Sequence, residues 1–366
     1  MTNATRPTRA PRRLPFALPE RPLVTRIRQV DAGALLHPTG PRTQPMAGFD
    51  DTYVDIVDYI VRITHEIWVD CAVGRIYETY APACAIHTAS GVVRSVEEIV
   101  ASTVITLDSF PDGEVHHLNV AWFGDERDFY TSHLGWSRST NCGPTAYGPA
   151  TNARVGLFFV ADCVSRGNMI HTEWLARDNG ALVRQLGFDL QETAARIAEV
   201  VPRDLLLAAP PTRLTGGAAL RPYEGPRDTP AGYFVHHFHD IWNLRRFDHL
   251  PEHYDPHVIA HWPGARVAMG LRNLGALMLA LLTSLPDATI RVEHLSWSDE
   301  TDGVIVAVRW RLEGTTRPGG LLGPAPNGRV VFVPGMSHFR FGAHGRIVEE
   351  WTVFDEVGVL AQAYRG

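Results

Sequence analysis

The sequence contains no lysine, and all 34 of its basic residues are arginine. Pyridoxal-phosphate enzymes and Schiff-base aldolases need an active-site amine, and P-loop phosphate binding needs the lysine of its motif. The sequence therefore excludes these chemistries. Any substrate carboxylate or enolate must be bound by arginine, histidine, neutral donors or backbone N–H groups.

Cysteine and long apolar runs are also scarce. The four cysteines in the 366 residues are Cys71, Cys84, Cys142 and Cys163. Because they form no CxxC pair, we expect a reduced cytoplasmic protein and neither a disulfide scaffold nor a zinc ribbon. No apolar run approaches the roughly 18 residues of a membrane span. Arg12-Arg13 precedes a short, proline-broken stretch, so we predict no export signal and no membrane partner.

The net charge of -6 and the sequence pI of about 6.3 argue against a nucleic-acid partner. Histidines with ligand-like spacing occur in His236-His237-x-His239 and in His253-x3-His257-x3-His261. The Tyr254-Asp255-Pro256 segment separates His253 from His257, and the sequence has no HExxH motif, no GxGxxG motif after a strand and no GxSxG motif. We therefore predict no metal site and no cofactor.

Residues 1–48 form an arm rich in arginine and proline, with eight arginines against Glu20 and Asp31. Such a composition does not build an amphipathic face of its own. We expect a flexible or surface-hugging arm, and the alternative is a strap that crosses a partner subunit.

The rest of the chain contains an internal repeat. His65-Glu66-Ile67-Trp68 recurs 174 residues later as His239-Asp240-Ile241-Trp242. The same or a slightly larger offset relates Tyr80 to Tyr254, His87 to His261, Trp122 to Trp297 and Glu173-Trp174 to Glu350-Trp351. A slowly drifting offset is what a duplicated domain shows. We predict a first domain at 49–200, a proline- and glycine-rich linker at 201–230 and a second domain at 231–366.

Each copy has the same predicted order of helices and strands. Ile56, Ile60, Ile63 and Ile67 recur with helical spacing, and a short helix ending in a Tyr-x-Pro turn follows. A short strand, a third helix and long β-branched strands such as Val304–Arg311 complete each copy. Helices followed by antiparallel strands predict an α+β fold, in which a curved, mostly antiparallel sheet wraps around the helices.

Several motifs in this order resemble the SnoaL-like polyketide cyclases of the nuclear transport factor two-like superfamily. They are Val306–Thr316, Gly323–Arg329, Ser337-His338-Phe339-Arg340-Phe341 and Gly345–Asp355, with a matching succession in the first copy. The resemblance implies two tandem cone-shaped domains, each around a deep pocket, packed as an intramolecular pseudo-dimer with possible further homodimerisation. The superfamily hosts several reactions, so the fold does not give the function.

The sequence departs from the family at one important position. The resemblance places a catalytic aspartate three residues before the aspartate that matches Asp355. Leu175 and Thr352 stand there in the two copies, and neither moves a proton at neutral pH. The family's cyclase histidine matches His338 in the second copy and Ala161 in the first.

Strand alternation suggests substitutes for the missing aspartate. Glu173 and Glu350 are two residues before Leu175 and Thr352, so they share the face of those residues. A carboxylate in an apolar pocket gains a pKa suited to acid–base work, and the alternative is a rim glutamate paired with arginine. We predict His133, Glu173, His171 and Asp162 as the catalytic candidates, and because all four lie in the first copy we expect that copy to be the active one.

The candidates for substrate binding are aromatic or charged residues of both copies: Tyr80, His87, Trp68, Trp122, Trp136, Arg309, His338 and Glu350. The tryptophans also fit a structural role in the core or pocket wall. Arg309 suits a substrate carboxylate but could equally be solvated.

The sequence predicts a cofactor-free acid–base enzyme, a lyase or isomerase acting on a small or medium hydrophobic molecule with carbonyl or hydroxyl groups. The expected reaction is a cyclisation, isomerisation or elimination/hydration. The alternatives are an epoxide or ester hydrolase and a non-catalytic small-molecule-binding protein.

Overall fold

The computed structural model describes residues 13–200 and 221–365. Residues 1–12 of the predicted arm and residues 201–220 of the predicted linker lie outside the described residues. In the part of the chain that the structure describes, no helix is long and apolar enough to cross a membrane.

The described residues form two halves with the same order of elements. The first half contains α1 (Ala32–Leu36), α2 (Ile56–Trp68), α3 (Arg75–Thr79), β1 (Tyr80–Thr88), β2 (Gly91–Val93), α4 (Val96–Ser109), β3 (Glu114–Gly124), β4 (Asp128–Thr140), β5 (Arg154–Arg166), β6 (Met169–Arg177), α5 (Asn179–Gln185) and α6 (Leu190–Val200). The second half contains α7 (Pro230–Phe238), a π-helical turn (His239–Asn243), α8 (Leu250–His253), β7 (Tyr254–Trp262), β8 (Arg266–Met269), α9 (Leu271–Ser284), β9 (Thr289–Glu300), β10 (Gly303–Thr315), β11 (Val330–Phe341), β12 (Ile347–Val353) and α10 (Glu356–Arg365).

Helix α2 begins directly after Asp55, a residue type that commonly caps helix N-termini. The Asp55 carboxylate accepts hydrogen bonds from the N–H groups of Val57 and Asp58, which caps the helix. Its isoleucines are buried on one face, as their spacing predicts. The predicted Tyr-x-Pro turn is different in the structure, because Tyr80 begins strand β1 directly after α3.

One continuous sheet joins the two halves. Within the described residues it has twelve strands in the order β2-β1-β6-β5-β4-β3-β9-β10-β11-β12-β7-β8. Read outward from the central β3–β9 pair, equivalent strands of the two halves follow one another in the same order. The central pair joins Trp122 to Trp297. Most pairs are antiparallel, whereas β1–β6 and β12–β7 are parallel. The fold is therefore the predicted curved, mostly antiparallel α+β sheet in tandem.

The two faces of each half-sheet have different surroundings. One face packs on helices and forms the core of its half, and the core of the second half also takes in Val183 of α5 and Leu190, Ala194 and Ile197 of α6. The other face packs on the opposite half through a small apolar cluster of Leu134, Val160, Ala176, Met336, Trp351 and Val353. Because successive side chains of a strand alternate between faces, the buried strand residues divide between a domain interior and this junction.

The described part of the arm is built into both cores. Phe16 packs in the core of the second half, while Ile27 and Leu35 pack in that of the first. Between them, the Arg21 guanidinium donates to the carbonyl oxygens of Trp122 (2.7 Å) and Trp297. Most residues of 13–48 are exposed or half-buried, so this part of the arm follows the surface and is anchored at these buried residues. The segment crosses from one half of its own chain to the other.

Candidate functional site

The first half encloses a cavity of about 510 Å³ between α2, α4 and strands β3–β6. This volume is in the range of ordinary small-molecule sites. The equivalent interior of the second half leaves only about 10 Å³, because Phe238, Trp242, Trp262, Trp310 and Phe339 fill it. Such a space holds about one water molecule. Only the first of these two interiors can therefore take an organic ligand.

The register of strands β4, β5 and β6 places the side chains that line the cavity in rows across the sheet. Cys163 pairs with Glu173, Ala161 with Leu175, and Phe159 with Arg177 across β5 and β6. His133 on β4 pairs with Ala161 and so belongs to the row of Leu175. All of these residues line the cavity. Glu173, Leu175 and Arg177 thus follow one another along β6 on the cavity face.

Glu173 lies at the buried end of this series, 5% exposed. The Tyr80 hydroxyl donates a 3.0 Å hydrogen bond to its Oε2 atom. Burial raises the pKa of Glu173 above its ordinary value, opposed by the Tyr80 hydrogen bond and by the positive charge of Arg177. No arginine forms an ion pair with Glu173 among the described residues, which excludes the alternative of a rim glutamate paired with arginine.

Glu350 occupies the corresponding position of the second half, with a different set of partners. It accepts hydrogen bonds from Tyr254 (3.0 Å), from the Trp262 indole (2.8 Å) and from Thr352 (2.6 Å). In the first half, Thr88 replaces Trp262 and Leu175 replaces Thr352. Of the three hydrogen bonds to the glutamate, the first half therefore keeps only the one from Tyr80 to Glu173. Glu350 is a satisfied structural group, whereas Glu173 keeps an oxygen for a ligand.

His133 is held in one tautomer. Thr64 Oγ1 donates to the carbonyl oxygen of Ile60 at 2.7 Å, so it accepts from His133 Nδ1, at 3.5 Å. His133 Nε2 is then an acceptor, and His117 Nδ1 donates to it at 3.0 Å. Burial lowers the pKa of His133 well below its usual value, helped by the neighbouring His117 and His338. His133 is therefore a neutral imidazole with its N–H group on the cavity side.

Two of the predicted catalytic residues lie away from the cavity. Val164 pairs with Thr172 and Ser165 with Ile170, so His171 is the extra residue of a bulge; it is exposed. Asp162 points to the junction between the halves, where it accepts a hydrogen bond from the Tyr130 hydroxyl. Burial raises the pKa of Asp162 to about 6. These placements correct the expectation that His171 and Asp162 join His133 and Glu173 in one site.

The predicted substrate-binding residues are divided between several places. Tyr80 and Trp68 line the cavity. Trp122 is buried in the first core under Arg21, and Glu350 lies in the filled second interior.

The other candidates for substrate binding face away from both interiors. His87 stacks on Trp174, the Arg309 guanidinium lies 3.5 Å from the Trp174 ring centroid, and Trp136 packs beside His116. His338 contacts Asn119 and Ser132 of the first half. His87, Trp136, Arg309 and His338 therefore do not reach the cavity, because each is on the outward-facing side of its strand. This corrects their assignment to a pocket.

Arg177 and Thr64 line the cavity but are not among the candidates from the sequence. Arg177 is two residues beyond Leu175, so the alternation that selects Glu173 also selects Arg177. Thr64 is on the apolar face of α2, and no sequence pattern marks a single threonine on such a face as a cavity residue. Within residues 13–200 and 221–365, no group of three or more metal-binding side chains is placed to hold an ion.

The curved sheet and the helices packed on it enclose the cavity of the first half. Residues 234–363 match the family model described as SnoaL-like polyketide cyclase. The second half of the chain is thus similar to the SnoaL-like family, and the match covers about a third of the whole chain. Comparison with curated proteins gives no significant match.

Solved structures with similarity to this chain include several proteins described as polyketide cyclases. A SnoaL-like polyketide cyclase from Agrobacterium tumefaciens is 25% identical and covers 34% of this chain and 91% of its own, with a TM-score of 0.29. A polyketide cyclase described as putative, from Acidithiobacillus ferrooxidans, is 16% identical, covers 36% and 93%, and has a TM-score of 0.31. One from Jannaschia is 22% identical, covers 33% and 79%, and has a TM-score of 0.28.

Proposed function

We propose that the first half of the chain is a cofactor-free acid–base enzyme. It moves a proton on a hydrophobic molecule with carbonyl or hydroxyl groups, in a cyclisation, an isomerisation or an elimination/hydration. One observation carries this proposal: Glu173 is buried with a single hydrogen-bond partner in a cavity of about 510 Å³. Its counterpart Glu350 has three partners in a filled interior.

Glu173 is the proton-transfer group of the proposed reaction. Its raised pKa brings the carboxyl closer to neutrality, where a general acid or base is most effective. Tyr80 fixes Oε2 and leaves Oε1 for the substrate. The surrounding isoleucines and Trp68 exclude water, which strengthens the interaction of the carboxyl with a developing charge.

His133 is the group that stabilises the oxygen of the substrate. Its Nδ1–H contact with Thr64 is weak, at 3.5 Å, so a carbonyl or enolate oxygen can replace Thr64 as the acceptor. A neutral imidazole donates such a bond without giving up its proton. His133 and Glu173 then act on the oxygen and on the adjacent carbon of one molecule.

The test is enzyme-catalysed exchange of carbon-bound hydrogen in D₂O, followed by NMR over a panel of hydrophobic bicyclic ketones. Exchange next to the carbonyl detects proton abstraction even when the natural product is unknown. We expect Glu173→Gln to lower the exchange rate on the order of 10²–10⁴-fold. The matched control Glu350→Gln should keep the rate of the unmodified protein. Equal rates for the unmodified protein and Glu173→Gln would remove Glu173 as the acid–base group.

Two other functions remain candidates. An epoxide or ester hydrolase would use Glu173 to activate water. A non-catalytic binding protein is favoured by Leu175 at the position where the resemblance places the catalytic aspartate. Tight binding of panel compounds without exchange or hydrolysis would support the binding protein.

We also propose that the two halves arose by tandem duplication, and that the second half now serves as the partner that completes the pseudo-dimer. The symmetric strand order and the equivalent pairs Tyr80–Glu173 and Tyr254–Glu350 support this origin. Domain limits of 49–200 and 231–366 follow from the same repeat.

A further inference from the structure

Arg177 brings a positive charge into the cavity. It is the last residue of β6 and shares the cavity face with Glu173 and Leu175. Its guanidinium carbon lies 5.1 Å from the centroid of the Trp68 ring, which also lines the cavity. The planar guanidinium is thus held against an aromatic wall, an arrangement that guanidinium groups favour.

Arg177 has no acidic partner among the described residues. The other arginine that lines the cavity, Arg138, is paired with Glu114 at 2.6 Å. No carboxylate lies within ion-pair distance of Arg177 in residues 13–200 and 221–365, nor does its side chain donate a hydrogen bond there. At the corresponding position of the second half stands Phe354, which is fully buried in the core. The fold therefore does not require a positive charge at the position of Arg177.

Arg177 is half-buried, and a guanidinium beside an apolar wall is costly because it gives up part of its hydration without gaining a counter-ion. A ligand with a planar oxyanion offsets the cost through two parallel N–H···O bonds.

We propose that Arg177 and Trp68 form an anion subsite, and that the substrate is a hydrophobic carboxylic acid. This inference rests on the proposed function of the same cavity. The Cα atoms of Glu173 and Arg177 are four residues apart on one strand, about 13 Å at 3.3 Å per residue. The carboxylate therefore binds at one end of the cavity and the reacting carbon lies near the other. The length fits a molecule of two or three fused or linked rings.

The experiment measures binding of 6-phenyl-2-naphthoate and of its neutral primary amide by isothermal titration calorimetry. The protein should bind the acid more tightly than the amide. Arg177→Gln should weaken binding of the acid on the order of tenfold to a hundredfold and leave the amide nearly unchanged. Arg177→Lys should restore part of the preference, because it keeps the charge without the bidentate geometry.

Arg138→Gln is the matched control, since it removes a cavity arginine that already has a carboxylate partner. It should keep the preference for the acid, and circular dichroism should show each variant folded. Equal affinity of acid and amide in the unmodified protein, or an unchanged preference in Arg177→Gln, would overturn the anion subsite.

The failure of this proposal differs from the failure of the proposed function. Glu173→Gln should still prefer the acid, because the subsite does not use Glu173. Hydrogen exchange on neutral ketones that is lost in Glu173→Gln, together with no preference for acids, would retain the enzyme and remove the subsite.

Discussion

At the scale of single residues, burial decides the charge state of His338. Its side chain is fully buried at the junction between the halves. The Asn119 amide donates to Nδ1 at 3.1 Å, and Nε2 donates to Ser132 Oγ at 3.0 Å. Ser298 in turn donates to Asn119 Oδ1 at 2.7 Å, which fixes the amide orientation. A protonated His338 would lose the Asn119 bond, so the neutral form is part of the junction.

This arrangement makes the junction sensitive to acid. Burial lowers the pKa of His338 from 6.5 to about 3. The unfolded chain binds the proton below about pH 6.5 and the folded chain does not, so stability is present above that pH and lost as the pH falls toward 3. Between pH 7.5 and pH 5 this residue alone should cost about 2 kcal/mol of unfolding free energy.

Chemical denaturation of the unmodified protein and of His338→Gln at both pH values measures this term. The unmodified protein should lose about 2 kcal/mol more than the variant on acidification, since the other histidines contribute to both. An identical pH dependence in the two proteins would show that His338 titrates normally.

At the scale of elements, the arm secures the contact between β3 and β9. The Arg21 guanidinium lies 4.2 Å from the ring centroid of Trp122 and 3.3 Å from that of Trp297, the two residues paired at the centre of the sheet. Burial lowers the pKa of Arg21 to about 9, and the charge of Asp299 opposes this shift. The arginine thus bridges equivalent residues of the two halves.

Loss of this bridge should destabilise the protein more than loss of a surface ion pair. Arg21→Ala leaves two carbonyl oxygens without their donor and should lower the unfolding free energy by about 2–4 kcal/mol. Arg26→Ala removes a partly exposed pair with Asp299 and should cost less than about 1 kcal/mol. Urea denaturation compares the two variants, and equal losses would contradict the bridging role of Arg21.

The sequence predicts the helices and strands of each half better than it predicts the contacts between them. Helix α2 and the long strands follow from periodicity, and Glu173 and Leu175 share a face of β6 as alternation predicts. His171 leaves that face because of a bulge that no residue pattern announces. Arg309 and His338 contact the other half because two sheet faces pack together, which depends on contacts distant in the chain. Alternation alone also could not say which face of β5 carries Asp162.

At the scale of the whole molecule, the two halves have one fold and different interiors. Tyr80–Glu173 and Tyr254–Glu350 occupy equivalent places, yet about 510 Å³ is open beside the first pair and about 10 Å³ beside the second. Large indole rings, among them Trp262 and Trp310, account for the filled interior. Such volumes result from how side chains pack together, so the repeat in the sequence could not reveal this asymmetry.

The central claim is that the first half binds the substrate in its cavity and the second half serves as the partner that completes the pseudo-dimer. The most direct measurement is a crystal structure of the protein soaked with a panel ketone whose hydrogen exchange it catalyses. We predict one molecule per chain, inside the first cavity, with an oxygen within hydrogen-bond distance of His133 and the exchanging carbon beside Glu173. A ligand bound in the second half or at the junction, with the first cavity empty, would contradict the account.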